Sequence, residues 1–239
     1  MHYEDSRVAL PQAEPVYTLG ANLLLRGSFL WMFIGLALTT AVSVAVATSE
    51  SLFLVLYSNP WTLWGLLIAE VLLVIVISAA IGRLSAGAAA FLFLLYSAIN
   101  GATLSSVFLV YAEASIIQAF VAASCLFAAM AIFGYFTRLD LTSWGVLLMV
   151  GLATLFVSMV VNMFIGSSTF EYFISVAGIV VFLGLTAYDT QKILRIGAVL
   201  GAGDPDARRR TAIIGALTLY LDFVNLLLFL LRLFGRSRD

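Results

Sequence analysis

Three acidic residues stand inside long apolar stretches of this chain, and any chemistry must start from them. Asp189 sits near the end of Leu183-Gly184-Leu185-Thr186-Ala187-Tyr188-Asp189-Thr190-Gln191-Lys192-Ile193. Asp222 interrupts the next apolar run, in Leu219-Tyr220-Leu221-Asp222-Phe223-Val224-Asn225, and Glu70 lies mid-way through an earlier one. An ionisable side chain in hydrocarbon is costly and faces a bundle interior or a water-filled cavity, so each is a candidate functional group. Two carboxyls close together in a low-dielectric site cannot both carry charge, and they share a proton as one titrating unit. Loss of that proton would set like charges side by side, which separates the helices or draws in a cation. Asp189 and Asp222 therefore read as a proton-controlled gate built from two residues. The competing arrangement has each aspartate separately bonded to a hydroxyl such as Thr186, or paired with a basic residue.

Other polar groups surround this pair in the sequence. Gly215, Thr218, Asp222 and Asn225 recur at steps of three and four, which places them on one helical face. Tyr96, Asn100 and Thr103 do the same in the third run, and Gly151, Thr154, Ser158 and Asn162 in the fifth. Small and hydroxyl residues at such spacing serve helix packing. Glu70, Asn100, Thr186 and Asn225 are candidates to line a pore. Arg83, which closes the run that holds Glu70, can either reach inward to Asp189 or snorkel to the interface.

The elements that must hold these groups follow from composition. The chain has 239 residues, 63% of them hydrophobic and only 10% charged, with a mean hydropathy of +1.10. Soluble domains carry roughly 25% charged residues, so a water-facing surface cannot be built here. Seven runs are long enough to span a bilayer, at 27–47, 61–81, 87–111, 116–136, 144–164, 172–192 and 211–234. The expected architecture is all-α and polytopic, with the seventh helix central within a bundle of six because its polar stripe carries a carboxylate. Residues 23–239 form that single domain, and residues 1–22, acidic and with two prolines, form an irregular cytoplasmic tail. Before the seventh run every Lys and Arg falls on one side, which makes the N-terminus cytoplasmic. Arg232, Arg236 and Arg238 would lie on the other side if the seventh run crosses fully. Asp206 is a candidate cap for that run.

Several chemistries are excluded by what is missing. The one histidine, His2, is in the tail, which removes His-dependent triads and histidine-rich metal sites. Cys125 is alone and cannot form an internal disulfide. A net charge of -1 argues against a nucleic-acid partner.

Ala187-Tyr188-Asp189-Thr190-Gln191 followed by Leu219-Tyr220-Leu221-Asp222-Phe223 resembles the Bax inhibitor (transmembrane Bax-inhibitor-motif) family, bacterial branch. Tyr96-Ser97-Ala98-Ile99-Asn100-Gly101-Ala102-Thr103-Leu104-Ser105 is similar to that family's third-helix signature. The resemblance implies a pH-sensitive calcium leak channel in the bacterial inner membrane, with Asp189 and Asp222 as sensor and cation site and Arg83 as latch. It implies no cofactor, calcium being the permeating ion, and no enzyme activity. A second class is a membrane regulator that binds a protease or a stress or cell-death partner without transport. A third is an intramembrane aspartyl protease, but Asp222 follows Leu219-Tyr220-Leu221 and lacks the Gly-x-Gly-Asp context of those enzymes.

Overall fold

In a computed structural model, residues 14–80, 82–201 and 203–236 are described. Among them the chain forms nine helices and no strand. These are α1 (Glu14–Thr48), α2 (Glu50–Tyr57), α3 (Pro60–Ala80), α4 (Ala86–Leu104), α5 (Val107–Val110), α6 (Glu113–Phe136), α7 (Thr142–Ile165), α8 (Ser168–Leu200) and α9 (Pro205–Phe234). Seven segments are long and apolar enough to cross a membrane: α1, α3, α4 with α5, α6, α7, α8 and α9. They coincide with the seven runs in the sequence. Large apolar side chains such as Val71 on α3, Phe156 on α7 and Phe173 on α8 face outward, as lipid contact requires and water would not allow.

The hub is α9. No residue from Thr211 to Leu231 is exposed, and the helix packs on α1, α3, α4, α6 and α8. By contrast, only Gly145 and Leu155 of α7 are buried, and α7 joins the bundle mainly through α8. The fifth run's polar stripe is accordingly no interior face: the exposed Thr154 donates to its own helix at Val150 O (2.8 Å), and Asn162 Oδ1 accepts from Ser167 N (3.2 Å).

Helix ends fix which groups share a face of the molecule. Arg210 Nη1, at the start of α9, donates to Leu84 O between α3 and α4 (3.4 Å). At the other end, Ala112 N donates to Arg236 O (3.0 Å), and Arg236 N donates to Ser115 Oγ (3.0 Å). Thus α9 runs from one face of the bundle to the other, and its carboxy-terminal end is tied to the α5–α6 junction on the face opposite the beginning of α1. Asp204, rather than Asp206, caps α9: its Oδ1 accepts from Asp206 N (2.9 Å) and Ala207 N (3.1 Å), with Pro205 in the first turn. Of the irregular tail expected over residues 1–22, residues 1–13 lie outside the described residues. Residues 14–22 are helical and open α1, Pro15 falling in a first turn that needs no N–H from it.

Two elements run beyond their apolar runs. α8 continues past Lys192 to Leu200, where Gly201 ends it at φ 60°, and α1 begins well before Gly27. These extensions cross at glycines. A Cβ on Gly197 would lie 2.7 Å from the Ala21 Cα and 2.9 Å from Gly20 O, so the two backbones touch. Gly197→Leu must therefore push α1 away from α8 and should destabilise the protein by about 1–3 kcal/mol. Gly65→Leu, where a Cβ meets nothing within 4 Å, should leave it unchanged. Thermal unfolding of both variants in detergent checks this.

Candidate functional site

The extension of α8 settles how the two aspartates meet. Asp189 is no longer near a helix end, and α8 and α9 run antiparallel with Ile193 against Gly215 and Asp189 near Thr218. Asp222 then stands one turn further along α9, about 5.4 Å deeper. Both carboxylates are interior, with Asp189 6% and Asp222 4% exposed. Asp222 Oδ2 is buried with no hydrogen-bond partner among the described residues. Lys192 Nζ, one turn along α8, lies 4.0 Å from Asp189 Oδ1 and 5.7 Å from the centre of the Tyr188 ring. A cavity of about 50 Å³, enough for a water, is lined by Asp189, Lys192, Thr211, Gly215 and Thr218 among others. Among the described residues no group of three His, Cys, Asp or Glu comes together, so the pair offers an ion two carboxylates.

The arrangement departs from the sequence expectations at two places. Thr186 does not cap either aspartate; its hydroxyl donates to Phe182 O (2.8 Å) and is fully buried. Arg83 is exposed in the turn after α3 and forms no ion pair among the described residues. The cation beside Asp189 is Lys192, because residues three apart on one helix are neighbours and no loop has to fold inward. The latch role expected for Arg83 is not seen in this structure.

On the far side of α9 lies a second polar constellation. Glu70 Oε1 accepts from Thr103 Oγ1 (2.6 Å), and Glu70 Oε2 accepts from Asn100 Nδ2 (3.2 Å). Asn100 Oδ1 accepts from the Tyr220 hydroxyl (2.9 Å), which is also 2.6 Å from Thr39 Oγ1, and Thr39 donates to Ser97 O (2.8 Å). One chain of contacts thus links α3, α4, α9 and α1. Tyr220 is completely buried, its ring edge-on to Phe93 (5.9 Å) and Tyr96 (5.7 Å). Of the four candidate pore-lining residues, Glu70 and Asn100 are bonded to each other. Thr186 and Asn225 turn back on their own helices, Asn225 Nδ2 donating to Leu221 O (2.8 Å). Tyr220 and Thr39 were missed in the sequence. A phenol hydroxyl inside a spanning run needs a partner and could have flagged Tyr220. Nothing separates Thr39 from its neighbour Thr40 before the fold is known.

The amino-terminal face carries a clamp on the α6–α7 loop. Gln191 Oε1 accepts from Leu141 N (2.9 Å), and Gln191 Nε2 donates to Leu139 O (2.8 Å). Arg195 Nη2 donates to Asp140 Oδ1 (2.5 Å) and to Gln191 Oε1 (2.6 Å), and Nη1 contacts the Thr142 hydroxyl. The Thr142 backbone N–H, and then the Arg195 guanidinium, hold the Asp140 carboxyl down at about 2. Gln191 and Arg195 thereby fix the loop to the same stretch of α8 that carries Asp189.

Comparison with known proteins bears on the whole chain. The profile of the Bax1-I family, described as inhibitor of apoptosis-promoting Bax1, matches residues 21–239. Over 208 residues the chain is 45% identical to the inner membrane protein YbhL of Escherichia coli, covering 87% of this chain and 89% of that one. It is 38% identical to an uncharacterized protein of Borreliella burgdorferi, over 91% of this chain and 94% of that one. An uncharacterized protein of Deinococcus radiodurans is 41% identical over 89% of each.

Two outcomes follow from the geometry. Tyr220→Phe keeps the ring but strips a hydroxyl from Asn100 and Thr39, and should cost about 1–3 kcal/mol of stability because buried polar atoms lose their partner. Denaturant or thermal unfolding reads this directly. The Asp140 clamp has a depressed folded pKa, so its contribution is full above the ordinary carboxylate range and fades as pH falls through about 2. Arg195→Gln should return the Asp140 titration toward the ordinary range, as carboxyl carbon NMR would record.

Proposed function

We infer that this chain, which belongs to the Bax inhibitor family, is a proton-controlled leak for calcium across its membrane. One observation carries the reading: Asp222 Oδ2 is buried without a partner among the described residues, about one turn from a second interior carboxylate on the adjoining helix. A lone carboxylate with an orphan oxygen is strongly destabilising in hydrocarbon unless it is protonated or meets a cation. With one proton between them, Asp189 and Asp222 let α8 and α9 pack. Without it, two like charges face each other in a medium where water cannot screen them, and the helices part or a cation occupies the gap. Lys192, beside Asp189 and half outside the bundle, is the counter-charge through which that balance is set.

Calcium is the cargo in this reading rather than a resident cofactor. Oxygen ligands suit it, and a site of 6–8 ligands would hold it too long for passage. Two carboxylates with waters would bind it weakly and release it. The protein performs no catalytic step in this scheme. It would lie in the bacterial inner membrane with its N-terminus in the cytoplasm, which the distribution of Lys and Arg before α9 supports. Its name, inner membrane protein, makes the Escherichia coli relative consistent with that placement.

Purified protein in liposomes loaded with a calcium dye gives the test, since a leak needs no partner protein. Asp189→Asn and Asp222→Asn should each flatten the dependence of flux on pH over the neutral range, because the amide keeps the shape but cannot ionise. The double variant should add little to either single one, the energy belonging to the pair. Additive losses would show two independent sites. Absence of flux from the unaltered protein would leave a regulator that works through a partner.

A further inference from the structure

A gap in the bundle is filled by no helix. α1 and α6 both pack on α8 and α9 but scarcely on each other. Toward the amino-terminal face they meet only through side chains: the Tyr135 hydroxyl donates to Asn22 Oδ1 (3.0 Å), and the Phe29 and Phe127 rings stand 6.4 Å apart. Toward the carboxy-terminal face they diverge. Two adjoining cavities open there, of about 740 Å³ and 260 Å³, and they share Leu36, Thr40, Phe120 and Phe223 as walls. The floor is the central helix itself.

We propose that this crevice is a binding site for one phospholipid, its acyl chain lying between α1 and α6 on Phe223 and its phosphate held by Arg232. The walls explain the tail. They are almost wholly apolar, and three of the four hydroxyls among them are engaged: Thr40 donates to Leu36 O (2.8 Å), Ser124 to Phe120 O (2.8 Å), and Thr39 belongs to the Tyr220 network, which leaves the buried Ser43. A water needs about two to four polar partners, which this lining does not offer together, and hydrocarbon is what surrounds its mouth in a bilayer. Arg232 explains the head. Leu228 lines the crevice, and Arg232 is one turn beyond it on the same side of α9, exposed and braced over the Phe229 ring at 5.6 Å. A guanidinium at that level matches a lipid phosphate bidentately. Phe223 lies on the floor, edge-on to Phe120 (5.7 Å) and Phe127 (5.6 Å), and the next residue back is Asp222. The bound chain therefore rests directly on the segment that carries one of the paired carboxylates.

The test is lipid retention by the full chain. Protein reconstituted in phosphatidylglycerol nanodiscs, released into mild detergent and weighed by native mass spectrometry should carry one tightly held lipid. Ala128→Trp, which fills the crevice from α6, should weaken retention roughly tenfold, and Arg232→Gln should weaken it in the same direction. Val157→Trp, on the outward face of α7, should leave it unchanged. Ala37→Phe fills the same space from α1 and serves if the Ala128 variant fails to elute as folded protein. Lipid-free unaltered protein, equal retention by a folded crevice-filling variant, or equal loss in the Val157 variant would overturn the proposal.

Discussion

Tyr220 and Asp222 are two residues apart on one helix, so they project about 200° from each other. A spanning helix with a single polar side can turn that side inward and its back to lipid. A helix with polar groups on opposite sides has no back. The only stable position for α9 is inside, with its polar sides covered, and that requirement places α1, α3, α4, α6 and α8 around it. The lipid-facing positions of α3 and α7 follow, because two helices with almost no buried residues are what remains for the periphery.

The two flanks of α9 are not equivalent. On the Tyr220 side each polar atom is matched across helices, from Glu70 through Asn100 to Thr39, and a fully connected network in a low-dielectric interior locks one packing arrangement. On the Asp222 side an oxygen is left without a partner among the described residues, about one turn from a second acid. Buried polar atoms left unmatched are rare in folded proteins and call for an explanation. Here the satisfied flank supplies the rigid support against which the unsatisfied one can change state. The clamp of Gln191 and Arg195 on the α6–α7 loop steadies α8 from its other side.

Much of this was readable before any coordinates. The seven spans follow from length and hydropathy, and the interior place of α9 follows from the stripe through Gly215, Thr218, Asp222 and Asn225. Four features were out of reach for physical reasons. Lys192 and Arg195 end the apolar run early, although the turns of α8 beyond Lys192 are otherwise apolar and hydrogen bonding continues the helix to Leu200. The role of Tyr220 as a junction depends on which helices flank it, a tertiary fact. The sequence leaves Arg83 free to reach Asp189 or to snorkel, because arginine at a helix end can do either, and it is the short i to i+3 step to Lys192 that places a cation beside Asp189. The tail's structured portion, residues 14–22, hid for the same reason as the end of α8: it is helix made from polar as well as apolar residues.

The central position of α9 also bears on how the protein is made. Of the seven crossings it is the last to leave the ribosome, and chains are synthesised from the amino end at about 5–20 residues per second. Until it arrives, Asn100 and Thr39 have no phenol to meet and Asp189 has no neighbouring helix at its back. The five earlier crossings that flank it, α1, α3, α4, α6 and α8, must therefore wait as an open ring, with their polar groups provisionally matched by water, lipid headgroups or one another. The final helix closes the ring by sliding its own backbone between them. Folding here is a keystone problem: the piece on which the others lean is set last.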